Sequence, residues 1–106
     1  MAGIVWTEPA LSDLEAIADY IALENPAAAA QLVALILAHL EQLVVNPESG
    51  SRPQELKRSR YRQIVEPRCR VFYRYDGQRV FVLHVMRSER LLRKAHLRDH
   101  AKQAKA

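Results

Sequence analysis

Residues 69–87 read CRVFYRYDGQRVFVLHVMR. Two runs of Val, Phe and Tyr flank Asp76-Gly77, the strongest short-range signal for a β-hairpin, because Gly tolerates the positive φ of a tight type I′ turn. A two-residue loop would pair Tyr75 with Gln78. Side chains alternate faces along a strand, so on that register Cys69, Val71, Tyr73, Val80, Val82 and His84 share a core face. The opposite face carries Arg70, Phe72, Arg74, Arg79, Phe81, Leu83, Val85 and Arg87, with Arg74 across from Arg79, where like charges repel. Two explanations fit these cations. Long arginines near a turn can reach into water over Phe72 and Phe81, or the face is a shallow basic surface that receives an acidic or anionic partner.

Working outward, "YRQIV" (61–65) reads as a strand and "EPR" (66–68) as a turn into the hairpin. Upstream, "NPESGSRP" (46–53) is a loop by its Pro, Gly and Ser content. Before it, Leu32, Val33, Ile36, Leu40, Leu43 and Val44 recur at helical spacing. An earlier stripe holds Leu11, Leu14, Ile17, Ala18 and Ile21, with Asp13, Glu15 and Asp19 facing out. Thr7 and Asn25 are natural N-caps, and Pro9 and Pro26 stand in the first turns behind them. These signals predict helices over 9–24 and 26–45 joined as an αα-hairpin. "GIVWT" (3–7) is a strand by its β-forming residues. Ser88 could cap a basic C-terminal helix with Leu91, Leu92 and Ala95 on one face. The expected order is β-α-α-β-β-β plus that helix or tail. This is an α+β fold in which an N-terminal strand and an αα-hairpin precede a three-stranded antiparallel meander. One domain over residues 1–98 and a frayed tail over 99–106 are expected.

At 106 residues, with 49% hydrophobic and 26% charged residues, the chain has the composition of one globular domain. Its single Cys69 cannot form an internal disulfide, which fits a reducing compartment. There is no basic start leading into a secretory apolar stretch and no run of ~20 apolar residues. The expected location is the cytoplasm, away from any membrane. Charge is unevenly divided. Residues 1–50 hold seven acids and no Lys or Arg, while all 16 basic residues lie in 51–106 against five acids. The second half therefore offers a basic working surface, for nucleic acid or for an acidic protein.

The stretch "WTEPALSDLEAIADYIALENPAAAAQ" is similar to the N-terminal half of the RelE/ParE superfamily of bacterial toxins. "NPESGSRPQELKRSRYRQIVEPRCRVFYRYDGQRVFVLHVMRSER" resembles its second half, with Arg-Val-Phe-Tyr-Arg and a last strand running into Arg-Ser-Glu-Arg. The likeness spans residues 4–93 and is nearest to the ParE plasmid-stabilisation branch. It implies a type II toxin silenced by a cognate antitoxin, ParD-like or other, whose acidic C-terminal segment wraps the toxin. It also implies that the sheet face away from the helices is the concave functional surface. The residues placed there for antitoxin or target are Arg70, Phe72, Arg74, Arg79, Phe81, Leu83 and Arg87, joined by Arg90 from the tail.

The resemblance leaves two activities open, since fold alone does not choose between them. ParE-like relatives poison DNA gyrase and have no catalytic site. RelE-like relatives cut mRNA on the ribosome with cations that stabilise the scissile phosphate and a Tyr or His near the C-terminus for proton transfer. Lys57, Arg58, Arg62, Arg70 and Arg87 could supply cations, but Ser, Glu and Leu stand where those relatives place Tyr or His. Glu89 and His96 are the remaining acid/base candidates. Gyrase is the preferred target, with no catalytic residues and no cofactor. A stand-alone basic nucleic-acid-binding module is a third class, without a recognition motif to support it. His96 and His100 have the i,i+4 spacing of metal ligands, with Asp99 beside them, and read more simply as solvated histidines. His84 and Cys69 read as a packed pair rather than a reactive one, and Trp6, Tyr73 and Tyr75 as core. Arg90, Arg93, Lys94 and Arg98 form either a solvated helix face or a partner contact.

Overall fold

A computed structural model describes residues 1–56 and 58–88. Lys57, Arg90 and His96, with the rest of the expected basic helix, lie outside the described residues, as does the 99–106 tail. The chain runs β1 (Gly3–Trp6), α1 (Glu8–Ala22), α2 (Pro26–Val45), a short 3-10 turn (Gln54–Leu56), β2 (Tyr61–Val65), β3 (Cys69–Tyr75) and β4 (Arg79–Arg87). The sheet order is β1-β4-β3-β2. β1 lies parallel to β4, whereas β2, β3 and β4 form the antiparallel meander. The α+β class and the β-α-α-β-β-β order are those expected from the sequence, closed into a mixed sheet.

Both helix starts form as their sequences dictate. Thr7 Oγ1 accepts from the Ala10 amide and donates to the Val82 carbonyl at 2.8 Å, tying the first helix to β4. Asn25 Oδ1 accepts from the Ala28 amide at 3.0 Å. α1 ends at Ala22, two residues before the expected end, where Leu23 takes the cap. Its stripe is rotated: Ala10 and Leu14 are buried, while Leu11 is 47% exposed.

The main core joins Leu14, Leu32, Ile36, Leu40 and Leu43 from the helices to Ile64, Cys69, Val71, Tyr73, Val80, Val82 and Val85 from the sheet. Trp6 and Tyr75 pack at its margin. α2 is long and apolar enough to cross a membrane by length and composition, contrary to the expectation that no such segment exists. Its buried stripe lies on the sheet, however, and His39 near its end pairs with Glu66, so its apolar character serves a protein layer. Cys69 is fully buried, and burial, with the neighbouring Glu66 carboxylate, pushes its thiol up to about 11.

The hairpin departs from the expected register twice. Its turn is longer, pairing Tyr75 with Val80. Asp76 Oδ1 accepts from the amides of Gln78 (2.9 Å) and Arg79 (2.7 Å), and Gly77 takes φ +98°. An aspartate that bonds its own turn stabilises the wider loop. Those two amides, with Arg79 and Arg74 adding charge, hold the Asp76 carboxyl below its usual range. Farther along, the register slips between Phe72 and Tyr73: Tyr73 faces Val82 but Phe72 faces His84. Leu83 is the extra residue of a β-bulge in β4.

The wider turn shifts the pairing by an even number, so faces are kept near it. The bulge shifts it by one, and everything beyond changes face. Val85 thus enters the main core opposite Val71. Arg87 lies opposite Cys69 with its guanidinium over the Tyr20 ring of α1, 4.9 Å from the centroid. His84 leaves the expected core face and its expected place opposite Cys69. Arg74 faces Phe81, not Arg79, so the expected like-charge pair across the strands does not form.

Candidate functional site

The outer sheet face, away from the helices, is built from alternate residues of β3 and β4. Phe72, Phe81, Leu83 and Met86 form a second buried cluster there, with Val5, Leu56 and Tyr61 packed against it. A single row crosses all four strands: Val5 beside Phe81, Phe81 beside Arg74, and Arg74 beside Tyr61. The apolar part of this face is therefore closed to solvent. Phe72 and Leu83 are fully buried and Phe81 is 6% exposed, because the bulge packs Leu83 into the sheet surface and guanidinium groups cover the rings.

Each of three arginines stacks on a ring. Arg70 lies 4.8 Å over Phe72, while Arg74 and Arg79 lie 4.9 and 5.2 Å from the Phe81 centroid. Such stacking uses the negative ring face to hold a weakly hydrated cation. Their other bonds differ sharply. Arg70 grips Glu55 through two nitrogens at 2.9 and 2.8 Å, and its Nε donates to Gln63 Oε1 at 2.9 Å. Arg70, expected to face a partner, is closed within the chain by Glu55. Arg79, next to the turn, is exposed. Arg74 is 6% exposed, and its Nε is buried without a hydrogen-bond partner.

The cations considered for RNA cleavage are not gathered together. Arg70 is on the outer face, whereas Arg62 pairs with Tyr73 on the helix side and donates to the Gly50 carbonyl at 3.0 Å. Arg87 also faces the helices, and Arg58 is exposed in the loop. Of the residues expected on one surface, Arg70, Phe72, Arg74, Arg79, Phe81 and Leu83 do share it.

Sequence reasoning missed an Asp–His pair. His84 Nδ1 lies 2.6 Å from Asp13 Oδ2, the same oxygen accepts from the Val85 amide at 3.2 Å, and the imidazole stacks on Phe72 with centroids 5.9 Å apart. Helical spacing alone puts Asp13 on a solvated face; only the bulge brings His84 to it. Glu55, which completes Arg70, lies between the 46–53 loop and the 61–65 strand, in a stretch without periodic signal. Among the described residues no cluster of His, Cys, Asp or Glu could hold a metal ion.

Comparison with known proteins agrees with the layout. The chain is similar to a solved toxin–antitoxin structure, described as a chromosomal ParDE system from P. aeruginosa. The two share 28% identity with a TM-score of 0.67, covering 84% of this chain and 98% of that one. No match was found among curated proteins. The family of ParE toxins of type II toxin–antitoxin systems, parDE, matches over residues 4–92, a span that takes in both helices and all of the sheet but Gly3; this chain belongs to that family.

Proposed function

We propose that this toxin arrests growth by inhibiting DNA gyrase, and that a cognate antitoxin with an acidic C-terminal segment holds it inactive by lying on the outer sheet face. Family membership supports the antitoxin. The observation that carries the choice of target is the scatter of the cations: Arg62 and Arg87 point toward the helices and Arg70 is neutralised by Glu55. A phosphate-cleaving centre needs its positive groups aimed at one developing charge, and here they are divided between two faces. Ser88, Glu89 and Arg90 follow the last strand, so no Tyr or His stands just after it.

The docking face of this reading presents Arg70, Arg74 and Arg79 over Phe72, Phe81 and Leu83, of which Phe72 and Leu83 are fully buried and support the face from beneath. Because the rings are roofed by guanidinium groups, an acidic segment meets cations first, which speeds association and fixes register. A second reading, ribosome-dependent mRNA cleavage, draws on the Asp13–His84 pair as an oriented acid/base. The two are separated by adding the purified chain to gyrase supercoiling and DNA-cleavage assays and, in parallel, to a translation reaction. The expected result is lost supercoiling with intact mRNA. Normal supercoiling with codon-specific mRNA cleavage, abolished by His84→Ala, would reverse the assignment. The membrane plays no part in this reading, and cytoplasmic gyrase is the target.

A further inference from the structure

Among the described residues Arg74 is the one charged side chain at the centre of the outer face. It stands on β3, an interior strand, between Phe81 of β4 and Tyr61 of β2. Its guanidinium stacks on Phe81, it is 6% exposed, and its Nε is buried without a hydrogen-bond partner. No ion pair to Arg74 occurs among the described residues. Cation–π stacking offsets part of the charge but gives the in-plane Nε–H no hydrogen bond. Withdrawing a charge from water is unfavourable unless it is paired and hydrogen-bonded.

The same strand shows what completes such a group. Arg70, four residues earlier and equally stacked on a phenyl ring, is closed by a carboxylate in a two-point grip at 2.8 and 2.9 Å. Arg74 has the stack and lacks the carboxylate. One acid lies within its field, Asp76, but Asp76 Oδ1 is committed to the turn amides of Gln78 and Arg79. Exposed Arg79 sits on the same Phe81 ring and adds positive potential at the turn end of the face.

We propose that Arg74 is a carboxylate receptor: it takes one Asp or Glu side chain from the acidic segment docked on this face, repeating between chains the bond that Glu55 makes to Arg70 within the chain. This rests on the docking reading above. A single deep guanidinium in an apolar bed selects one carboxylate in fork-on-fork geometry. A phosphodiester backbone is held instead by a spread of several exposed cations. The free toxin thus carries a guanidinium whose Nε–H is buried and unpaired, and a docked carboxylate would neutralise it, so Arg74 contributes more stability in the complex than in isolation.

The test uses the full chain, acetate as the small probe, and the cognate antitoxin. In NMR spectra of the arginine side chains, the Arg74 Nε–H resonance is expected to shift saturably with acetate but not with chloride at equal ionic strength. Arg74→Gln is expected to leave the unfolding midpoint of the free toxin unchanged or higher while weakening antitoxin binding about 30-fold or more. Arg79→Gln, at an exposed site, should change affinity only a few-fold. An Nε–H signal that ignores acetate, as a trapped water would give, together with unchanged antitoxin affinity in Arg74→Gln, overturns the receptor. If Arg74→Gln binds normally while Phe81→Ala does not, the receptor fails and the docking reading stands. If antitoxin binding survives both changes, the docking reading and the receptor fail together.

Discussion

Replacing Tyr73 by Phe tests how the fold closes its longest described loop. The ring is fully buried in the main core and is unchanged by the substitution. Only the hydroxyl is lost. It donates to the Pro47 carbonyl at 2.7 Å and accepts from the Gly50 amide at 3.0 Å, so one atom pins both limbs of the 46–53 loop. A typical hydrogen bond adds a net ~1 kcal/mol, and a buried donor left without a partner costs about 1–3 kcal/mol. With Gly50 itself buried, the expected loss is about 2–4 kcal/mol. Gly50 must also remain without a side chain, because a Cβ there would lie 2.5 Å from Tyr73 Oη and 2.7 Å from the Gln63 carbonyl. Gly50→Ala should therefore destabilise too, and the double variant should lose less than the two single losses combined, since both break one contact. Tyr75→Phe is the control: its hydroxyl donates to Gly77 at the exposed turn, and such surface changes stay within about 0.5 kcal/mol. Urea denaturation reads all four, with the slope against urea unchanged. Losses below about 0.5 kcal/mol for both Tyr73→Phe and Gly50→Ala would refute the pinning argument.

Two further outcomes are expected. Ile36→Ala and Leu14→Ala remove side chains from opposite helices of the core, 0% and 8% exposed, and should cost about 2–5 kcal/mol each; losses under about 0.5 kcal/mol at both sites would show that the helical stripes are not what holds the layers together. Cys69 is protonated in the fold with its thiol raised from 9.0 to about 11, so its contribution is complete below pH 9 and is lost as pH rises toward 11. Denaturation at pH 8, 9 and 10 should show falling stability whose slope is reduced in Cys69→Ala; an unchanged slope would mean that the thiol is not the group responsible.

The parts of the fold that were legible in the sequence are those set by local chemistry. Thr7 and Asn25 cap because a side-chain oxygen two or three residues ahead of free amides satisfies them wherever the helix ends up. Ile36 and Leu40 reach the core because helical spacing fixes which residues share a stripe. Asp76-Gly77 marks its hairpin because few residue types accept the backbone the turn requires. Partners distant in the chain were not legible. Glu55 reaches Arg70, Glu66 reaches His39 and Asp13 reaches His84 across separations that no periodic pattern encodes.

The least legible feature, the bulge at Leu83, decides what the outer face is. Without the slip, alternation would carry Val85 and Arg87 outward beside Phe72 and Leu83, and would send His84 inward. One extra residue in β4 reverses all three. It places Val85 in the main core, hands Arg87 to Tyr20 on α1, and brings His84 against Phe72 and Asp13. The cost of the slip is a break in the β3–β4 ladder, and Asp13 meets part of it by accepting from the Val85 amide. Arginines before the slip keep the faces that the sequence assigned to them, which is why Arg74 and Arg79 remain on one ring although the turn is longer than expected. Among the described residues the basic surface is thus narrower than the expected face, since Arg87 has left it. Its deepest member among those residues, Arg74, is the one left without a hydrogen bond at Nε, so on the docking proposal the imbalance read from composition is met at a single guanidinium.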